Sequence, residues 1–396
     1  MPEDCLGFGP LVMGDAGDLY AANRADGFDP HDDIVAMPFS SGTTGPPKGV
    51  CLSHFNLVAN CVQIGAKDVM PSCLLDWVKD QEQETILAVL PFFHIYSMEL
   101  IMLLNMRLGN KIVTLPKFEP EMYIKALVQY KPTLLHLVPP LVQFLAATPV
   151  VKSQYLSSVK VVTGGAAPFG PALIEMFMKK VEPHVIEFRE GFGMTESSPC
   201  TQLQPGEGAV LGGCGNCVPN TIAKLIDIET GNLVGPGEQG ELCMSGPQVM
   251  LGYYKNQSST DETLIDGWLH TGDIAVADES GQFVIVDRLK ELIKVKGMQV
   301  SPSELEDLIR RHPGVLDVAV VGVPDERLGE SPRAYVIPRN ANVEAQSIVD
   351  YVAERVAPHK RLGEGVMFVE SLPKNQTGKL LRRELKAQVF KGSFGY

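Results

Sequence analysis

The chain has 396 residues, and 34 Lys and Arg against 47 Asp and Glu leave a formal charge of -13. That field repels nucleic acid and anionic lipid headgroups, which excludes a DNA-wrapping or polybasic membrane role. With 45% hydrophobic and 20% charged residues, the chain has ample apolar material for a core and length for two or three domains, so wholesale disorder is excluded.

The first residues, MPEDCLGFGPLVMGD, lack the basic start and apolar run of a secretory signal, and the final KGSFGY is neither a prenylation box nor an SKL-type address; the expected compartment is the cytoplasm. Eight scattered cysteines read as reduced, small apolar side chains. Cys214 and Cys217 have CxxC spacing but no second pair to complete a zinc site. The most membrane-like stretch, Ile86 to Met106, is interrupted by Pro91, His94, Glu99 and Asn105. It reads as a buried strand, loop and helix, and no membrane span is expected.

Short β-rich runs then alternate with helical patterns: IVAMPF at 34–39, a helix from His54, ILAVL at 86–90, a helix from Ser97, and KIVTL at 111–115. A helix at 120–130, the strands TLLHLV and VKVVT (159–163), a helix at 171–180 and VIEF at 185–188 continue the series. Such alternation predicts an α/β fold with right-handed crossovers, a large N-terminal lobe of mainly parallel sheet flanked by helices. Ligands of such sheets gather where strands end. After Gly206 the turn signals ETGN, GPGEQG and DESGQ predict a small β-rich subdomain.

A third texture starts at VDRLKELIKVKGMQ. Ser301 reads as a helix N-cap, Pro302 as the first helical residue and Glu304 as the partner completing a capping box. The helix stops before Pro313 and is followed by VLDVAVVGV, RAYVIP, a helix from Val343 to Val356, VMFVE and a terminal helix containing LLRREL. This predicts an α+β C-terminal domain, with the chain divided into 1–287 and 288–396 and a break in the segment Asp287 to Lys290.

Directly after the first strand, SSGTTGPPKG (40–49) packs four hydroxyls, three glycines and a lysine into one loop. Glycine lets main-chain N–H groups approach phosphate oxygens, the hydroxyls add donors and Lys48 adds charge. It is not a Walker loop, since no Ser or Thr follows the lysine, and GxGxxG is absent.

With FFHIYS (92–97), GGAAPFG (164–170), EGFGMTESSP (190–199), GWLHTGDIA (267–275), DRLKELIKVKGMQVSPSELE (287–306) and PKNQTGKLLRREL (373–385), this loop forms an ordered series across nearly the whole chain. The series resembles the adenylate-forming superfamily, within it the branch of 4-coumarate-CoA ligases, luciferases and acyl-CoA synthetases. The resemblance implies an ATP-dependent acid–thiol ligase that uses Mg2+ and takes coenzyme A as co-substrate with a small carboxylic acid, 4-coumarate-like or fatty. A carboxylate is a poor acyl donor and an acyl phosphate anhydride a good one, so the catalyst must orient two anions and stabilise departing pyrophosphate.

By that resemblance Ser40, Ser41, Gly42, Thr43, Thr44 and Lys48 hold the β and γ phosphates. Gly191 and Gly193, in a loop after VIEF, let the backbone approach the adenylate; Thr195 contacts the α-phosphate or acyl carbonyl, and Glu196 binds Mg2+. Asp273 and Arg288 take the ribose hydroxyls, while His94, Tyr96 and Ala166 wall the acyl pocket. Lys117, Lys296 and Gly297 match contacts of coenzyme A. Lys379 is the adenylation lysine and Lys294 the one presented for thioester formation, exchanged by rotation of the C-terminal domain at Lys290.

Departures from the family pattern carry expectations too. The phosphate loop begins at residue 40, whereas relatives carry a further stretch ahead of it, so a truncated chain is expected. Glu190 stands where an uncharged or basic residue is usual, and a charge there is unwelcome unless paired or protonated. Leu100 replaces a small polar residue of the hydroxycinnamate pocket, which favours an aliphatic or differently substituted acid. A luciferase-like adenylating oxygenase and an inactive nucleotide-binding fragment remain the alternative readings. Oligomeric state is not legible.

Overall fold

Strands covered on both faces must be apolar throughout, and Thr85–Ala88 and Leu134–Leu137 are buried at every position. They sit near the centre of a seven-stranded sheet in the order Lys111–Thr114, Thr85–Ala88, Leu134–Leu137, Val161–Gly164, Glu187–Gly193, Cys200–Leu203, Asn216–Cys217. The first five run parallel, and the last two each pair antiparallel with the strand before them. The computed structural model describes residues 28–40, 47–66, 69, 83–375, 378–382 and 384–386.

Helices Pro120–Tyr130, Pro139–Ala147 and Pro171–Val181 pack on this sheet through Tyr123, Leu127, Val142, Leu145 and Phe177, all fully buried. Each such side chain contributes roughly 1.5–3 kcal/mol of burial. Each of these helices opens on proline, whose missing N–H is no loss in a first turn. No helix was expected at Pro139–Ala147.

Two further corrections concern the site. The strand expected to end at VIEF runs on through Gly193, so Gly191 and Gly193 lie in a strand and not in a loop. The helix expected from Ser97 is present but wound more widely than an α-helix, as a π-helix over Ser97–Leu103 in which the N–H of Leu104 meets the carbonyl of Glu99, before an α-helix Leu104–Arg107 continues it. Asn105 stabilises it by donating to the carbonyls of Leu100 and Ile101. Wide turns of this kind cluster at functional sites.

The β-rich subdomain is a five-stranded antiparallel sheet of Ile222–Ile226, Gln239–Ser245, Trp268–Ala277, Leu264–Ile265 and Phe283–Arg288. A small sheet joins Ile34–Ala36, Val50–Ser53 and Gly252–Tyr253.

Beyond it, Ile293–Val295, Met298–Val300, Val315–Asp325, Gly329–Pro338 and Val366–Phe368 form a separate sheet. Its own core includes Ile293, Leu305, Ile309, Val320, Val336 and Ile348, from the sheet and from helices Pro302–Arg310 and Ala345–Ala353. The second helix is shorter than the expected Val343 to Val356. The expected capping box is only half formed: the Ser301 hydroxyl accepts from the Glu304 N–H at 3.1 Å. The Glu304 carboxylate turns outward to Lys360 at 2.6 Å, an ion pair that competes for the carboxylate. The expected terminal helix at LLRREL lies partly outside the described residues. Among the described residues no helix is long and apolar enough to cross a membrane.

Candidate active site

At the carboxyl ends of the parallel strands lies a cavity of about 430 Å3, walled by the large sheet, the β-rich subdomain and the C-terminal segment around Lys379. The phosphate loop reaches it through its two ends. Ser40 N–H donates to the carbonyl of Lys48 at 2.9 Å, and Lys48 N–H donates to the Ser40 hydroxyl at 3.3 Å, which pins the base of the loop. Ser41, Gly42, Thr43 and Thr44 lie outside the described residues.

Sheet pairing brings a distant residue to that loop. Tyr253 pairs in register with Val50, just after the loop, and its ring carries the Lys48 ammonium at 4.6 Å. Its hydroxyl donates to Glu196 Oε1 at 2.7 Å. Thr195 and Glu196 form a buried turn following Gly193. A side chain at Gly193 would collide with the carbonyl of Pro199, so the chain's own return, and not a ligand, is what demands glycine there.

Register also assembles the opposite wall. Asp273 and Arg288 are directly paired across neighbouring strands, with Nε to Oδ1 at 3.0 Å. Asp273 is almost fully buried, and among the described residues its Oδ2 has no hydrogen-bond partner. Burial raises its carboxyl pKa, opposed by the charges of Arg288 and Lys379. This acceptor-only oxygen sits just behind Gly272 and Arg288, which line the cavity, and an acceptor of that kind suits a vicinal diol.

Lys379 enters from the C-terminal side, its main-chain N–H held by Asn375 Oδ1 at 2.9 Å. Burial first, and then repulsion from Arg288, depress its pKa to about 8, while Asp273, Glu291 and Glu196 pull the other way. His94 lies on the same cavity; burial and the Lys379 charge lower its pKa, so it is neutral at pH 7. Its Nδ1 accepts from the Tyr96 N–H at 3.2 Å. Tyr96, Ala166, Gly191, Arg288 and Lys290 complete the expected residues that line this cavity.

Burial pushes Glu190, behind the wall, up to about 8, with Phe169 N–H donating to Oε2 at 3.3 Å. At neutral pH it is mainly protonated, so the extra acid adds little charge.

Four expected residues are not brought to the cavity. Lys117 is exposed and paired with Glu119 at 2.7 Å. Lys294 lies exposed on strand Ile293–Val295, with its N–H on Glu330 Oε2 at 2.9 Å. Lys296 and Gly297, at φ 50° and 79°, make the hairpin turn to Met298–Val300, the left-handed pair that two-residue hairpins require.

Sequence reasoning passed over Tyr253, Glu241, His270 and Asn375, all of which line the cavity. His270 and Asn375 sit inside the HTGD and PKNQTGK stretches, which signalled them. His270 Nδ1 lies 3.0 Å from Glu241 Oε2, whose other oxygen accepts from Gly272 N–H at 3.1 Å and so shapes the turn before Asp273.

The fold and this cavity define a nucleotide-site α/β architecture with a docked tail domain, and comparisons with known proteins agree. The AMP-binding enzyme family matches residues 12–254 and the AMP-binding enzyme C-terminal domain matches 304–379; the chain belongs to this family. A probable 4-coumarate–CoA ligase 3 of Dictyostelium discoideum is 41% identical over 356 residues, 89% of this chain and 63% of the relative. Thus the chain spans less than two thirds of the length of that relative. Among solved structures, ATP-bound MatB from Rhodopseudomonas palustris is similar with a TM-score of 0.82 and 27% identity, covering 96% of this chain and 73% of that one. The Bacillus subtilis O-succinylbenzoate coenzyme A synthetase MenE, in complex with ATP and magnesium ion, gives 0.75 and 27%, covering 90% and 70%.

Proposed function

We propose that the chain is an ATP-dependent acid–thiol ligase that makes an acyl-CoA through an acyl adenylate. The observation that carries this reading is the convergence on one cavity of the ammonium of Lys379, the buried carboxylate of Glu196 and the guanidinium of Arg288, whose strand partner Asp273 stands directly behind it with one oxygen unpaired among the described residues. In the first half-reaction a substrate carboxylate oxygen bonds to the α-phosphorus of ATP, the bond to the bridging oxygen breaks, and pyrophosphate leaves with the electron pair. In the second, the sulfur of coenzyme A bonds to the acyl carbon, AMP leaves and the thiol proton is released.

Lys48 and Ser40 flank the departing phosphates; Asp273 and Arg288 hold the ribose; Lys379 stabilises charge between carboxylate and α-phosphate. Neutral His94 lies alongside without adding a competing charge. Glu196, one oxygen tied to Tyr253, would hold Mg2+, which keeps several water and phosphate oxygens and so needs few protein ligands. When bound, that ion supplies charge neutralisation on the phosphates. We read residues 1–287 and 288–396 as the two moving parts, with Lys379 facing the cavity for adenylation and Lys294 for thioester formation, Lys117, Lys296 and Gly297 then meeting coenzyme A.

Acid-dependent ATP–pyrophosphate exchange by the purified protein tests the reading. Exchange with at least one aromatic or fatty acid is expected; folded protein without exchange across such a panel overturns it.

A further inference from the structure

Along strand Gln239–Ser245, Leu242 and Met244 are buried in the apolar core of the β-rich subdomain, so Glu241 and Cys243 belong to the strand's other face. Cross-strand pairing sets His270 directly opposite Cys243, and the three side chains meet. His270 Nδ1 lies 3.0 Å from Glu241 Oε2 and 3.4 Å from Cys243 Sγ, and the ligand atoms of all three residues fall within 4.8 Å of one another. Among the described residues this is the one group of three such side chains gathered so closely.

These separations match the edges of a zinc tetrahedron. Bonds of ~2.3 Å to sulfur, ~2.0 Å to nitrogen and ~2.1 Å to oxygen put neighbouring ligand atoms roughly 3.4–3.6 Å apart, so both measured pairs need open by only a few tenths of an ångström. Glu241 Oε1 accepts from Gly272 N–H, which fixes the carboxylate with Oε2 toward the ring. Glu241 and His270 line the main cavity and Cys243 beside them is fully buried, so an ion has a way in and a sulfur at the end of it. Burial and the Glu241 charge push that thiol up to about 12, so it keeps its proton until an ion displaces it. Lys224 pairs with Cys243 from the next strand and holds its ammonium over the Trp268 ring at 4.0 Å. A dication with one thiolate and one carboxylate sums to zero charge, so the filled set does not repel that ammonium.

We propose that Glu241, Cys243 and His270 form a site for a borderline-soft divalent cation, Zn2+ by preference, with water from the cavity as the fourth ligand. Mg2+ does not suit the set, because it demands near-octahedral oxygen ligands and takes thiolate poorly. The site is therefore distinct from Glu196, and it stands apart from the ligase reading.

Zn2+ titrated into the whole chain by calorimetry tests it, without nucleotide and with excess Mg2+ to fill oxygen-only sites. Wild type is expected to bind one ion tightly. Cys243→Ser and Cys243→Ala should each weaken that binding by roughly a hundredfold or more, since loss of an outer-shell partner alone costs about 10–100-fold. Glu241→Gln, which keeps the shape and an acceptor for Gly272, should weaken it too, and Cys217→Ala should leave it unchanged. Titration with Co2+ reads the sulfur directly: thiolate-to-cobalt charge-transfer absorption is expected in wild type and Cys217→Ala and absent from both Cys243 variants. Folded wild type without saturable Zn2+ binding, or equal binding by wild type and the Cys243 variants, overturns the proposal and leaves the three groups a hydrogen-bonded cluster. Binding lost in Cys217→Ala but kept in Cys243→Ala also overturns it and moves the ion to the CxxC pair.

Discussion

Two lysines on the C-terminal domain occupy opposite electrostatic surroundings. Lys379 is half-buried beside Arg288, Asp273, Glu291 and Glu196, and its pKa falls to about 8. Lys294 stands exposed on a strand, its main-chain N–H tied to Glu330. A charge in low dielectric acts strongly on its neighbours and one in water weakly, so the residue type alone assigns no role. What the contrast teaches is that this arrangement of the two lobes brings Lys379 to the cavity and leaves Lys294 in water, as the proposed division of labour requires.

The strongest way to break this comparison is to remove each lysine. Lys379→Ala is expected to lower ATP–pyrophosphate exchange by roughly 10²–10³-fold while sparing conversion of supplied adenylate to thioester. Lys294→Ala should do the reverse, and equal losses in both half-reactions for both variants would refute the division. Next in size, Asp273→Ala removes the orphaned acceptor and the partner of Arg288. Losing a charged hydrogen bond costs about 1.5–3 kcal/mol, so the Kd for ATP, measured by direct titration, should rise roughly ten- to a hundredfold.

A pH profile sharpens the contrast further. In the proposed mechanism the ammonium of Lys379 is the competent form; it prevails below about 8 and is lost as pH rises through that value. Adenylation by wild type should fall on that alkaline limb, which bound ATP moves upward by its negative charge. Removing Asp273, which favours the ammonium, should move the limb to lower pH. The smallest effect is expected on the exposed side: Gly297→Ala puts a side chain at φ 79° and should cost about 1 kcal/mol, read as a lower Tm with exchange unchanged.

The parallel sheet was legible because each strand carries a short apolar run bounded by turn residues, and the site was legible where its chemistry is local. The loop at 40–49, HTGD and PKNQTGK each hold several donors or acceptors within a few residues. Tyr253 escaped because only the pairing of Gly252–Tyr253 with Val50–Ser53 brings it to the loop. Gly193 looked like a ligand contact because glycine signals any close approach, and sequence does not distinguish a nucleotide from the carbonyl of Pro199. The half-formed capping box has a similar origin: Lys360 lies far along the chain, so the competing pair at Glu304 is invisible locally.

Asp287 belongs to the last strand of the β-rich subdomain, yet its Oδ2 accepts from the Ser301 hydroxyl at 2.6 Å and from the Ser303 N–H at 3.0 Å. One oxygen thus anchors the start of a helix beyond the proposed pivot. Swivelling at Lys290 must strip both donors from it, a step of roughly 2–5 kcal/mol before any new contact forms. Under the proposed rotation the hinge would therefore have a detent, the tail domain resting in a defined notch and snapping out of it, which would commit the chain to one proposed half-reaction instead of letting it drift between them.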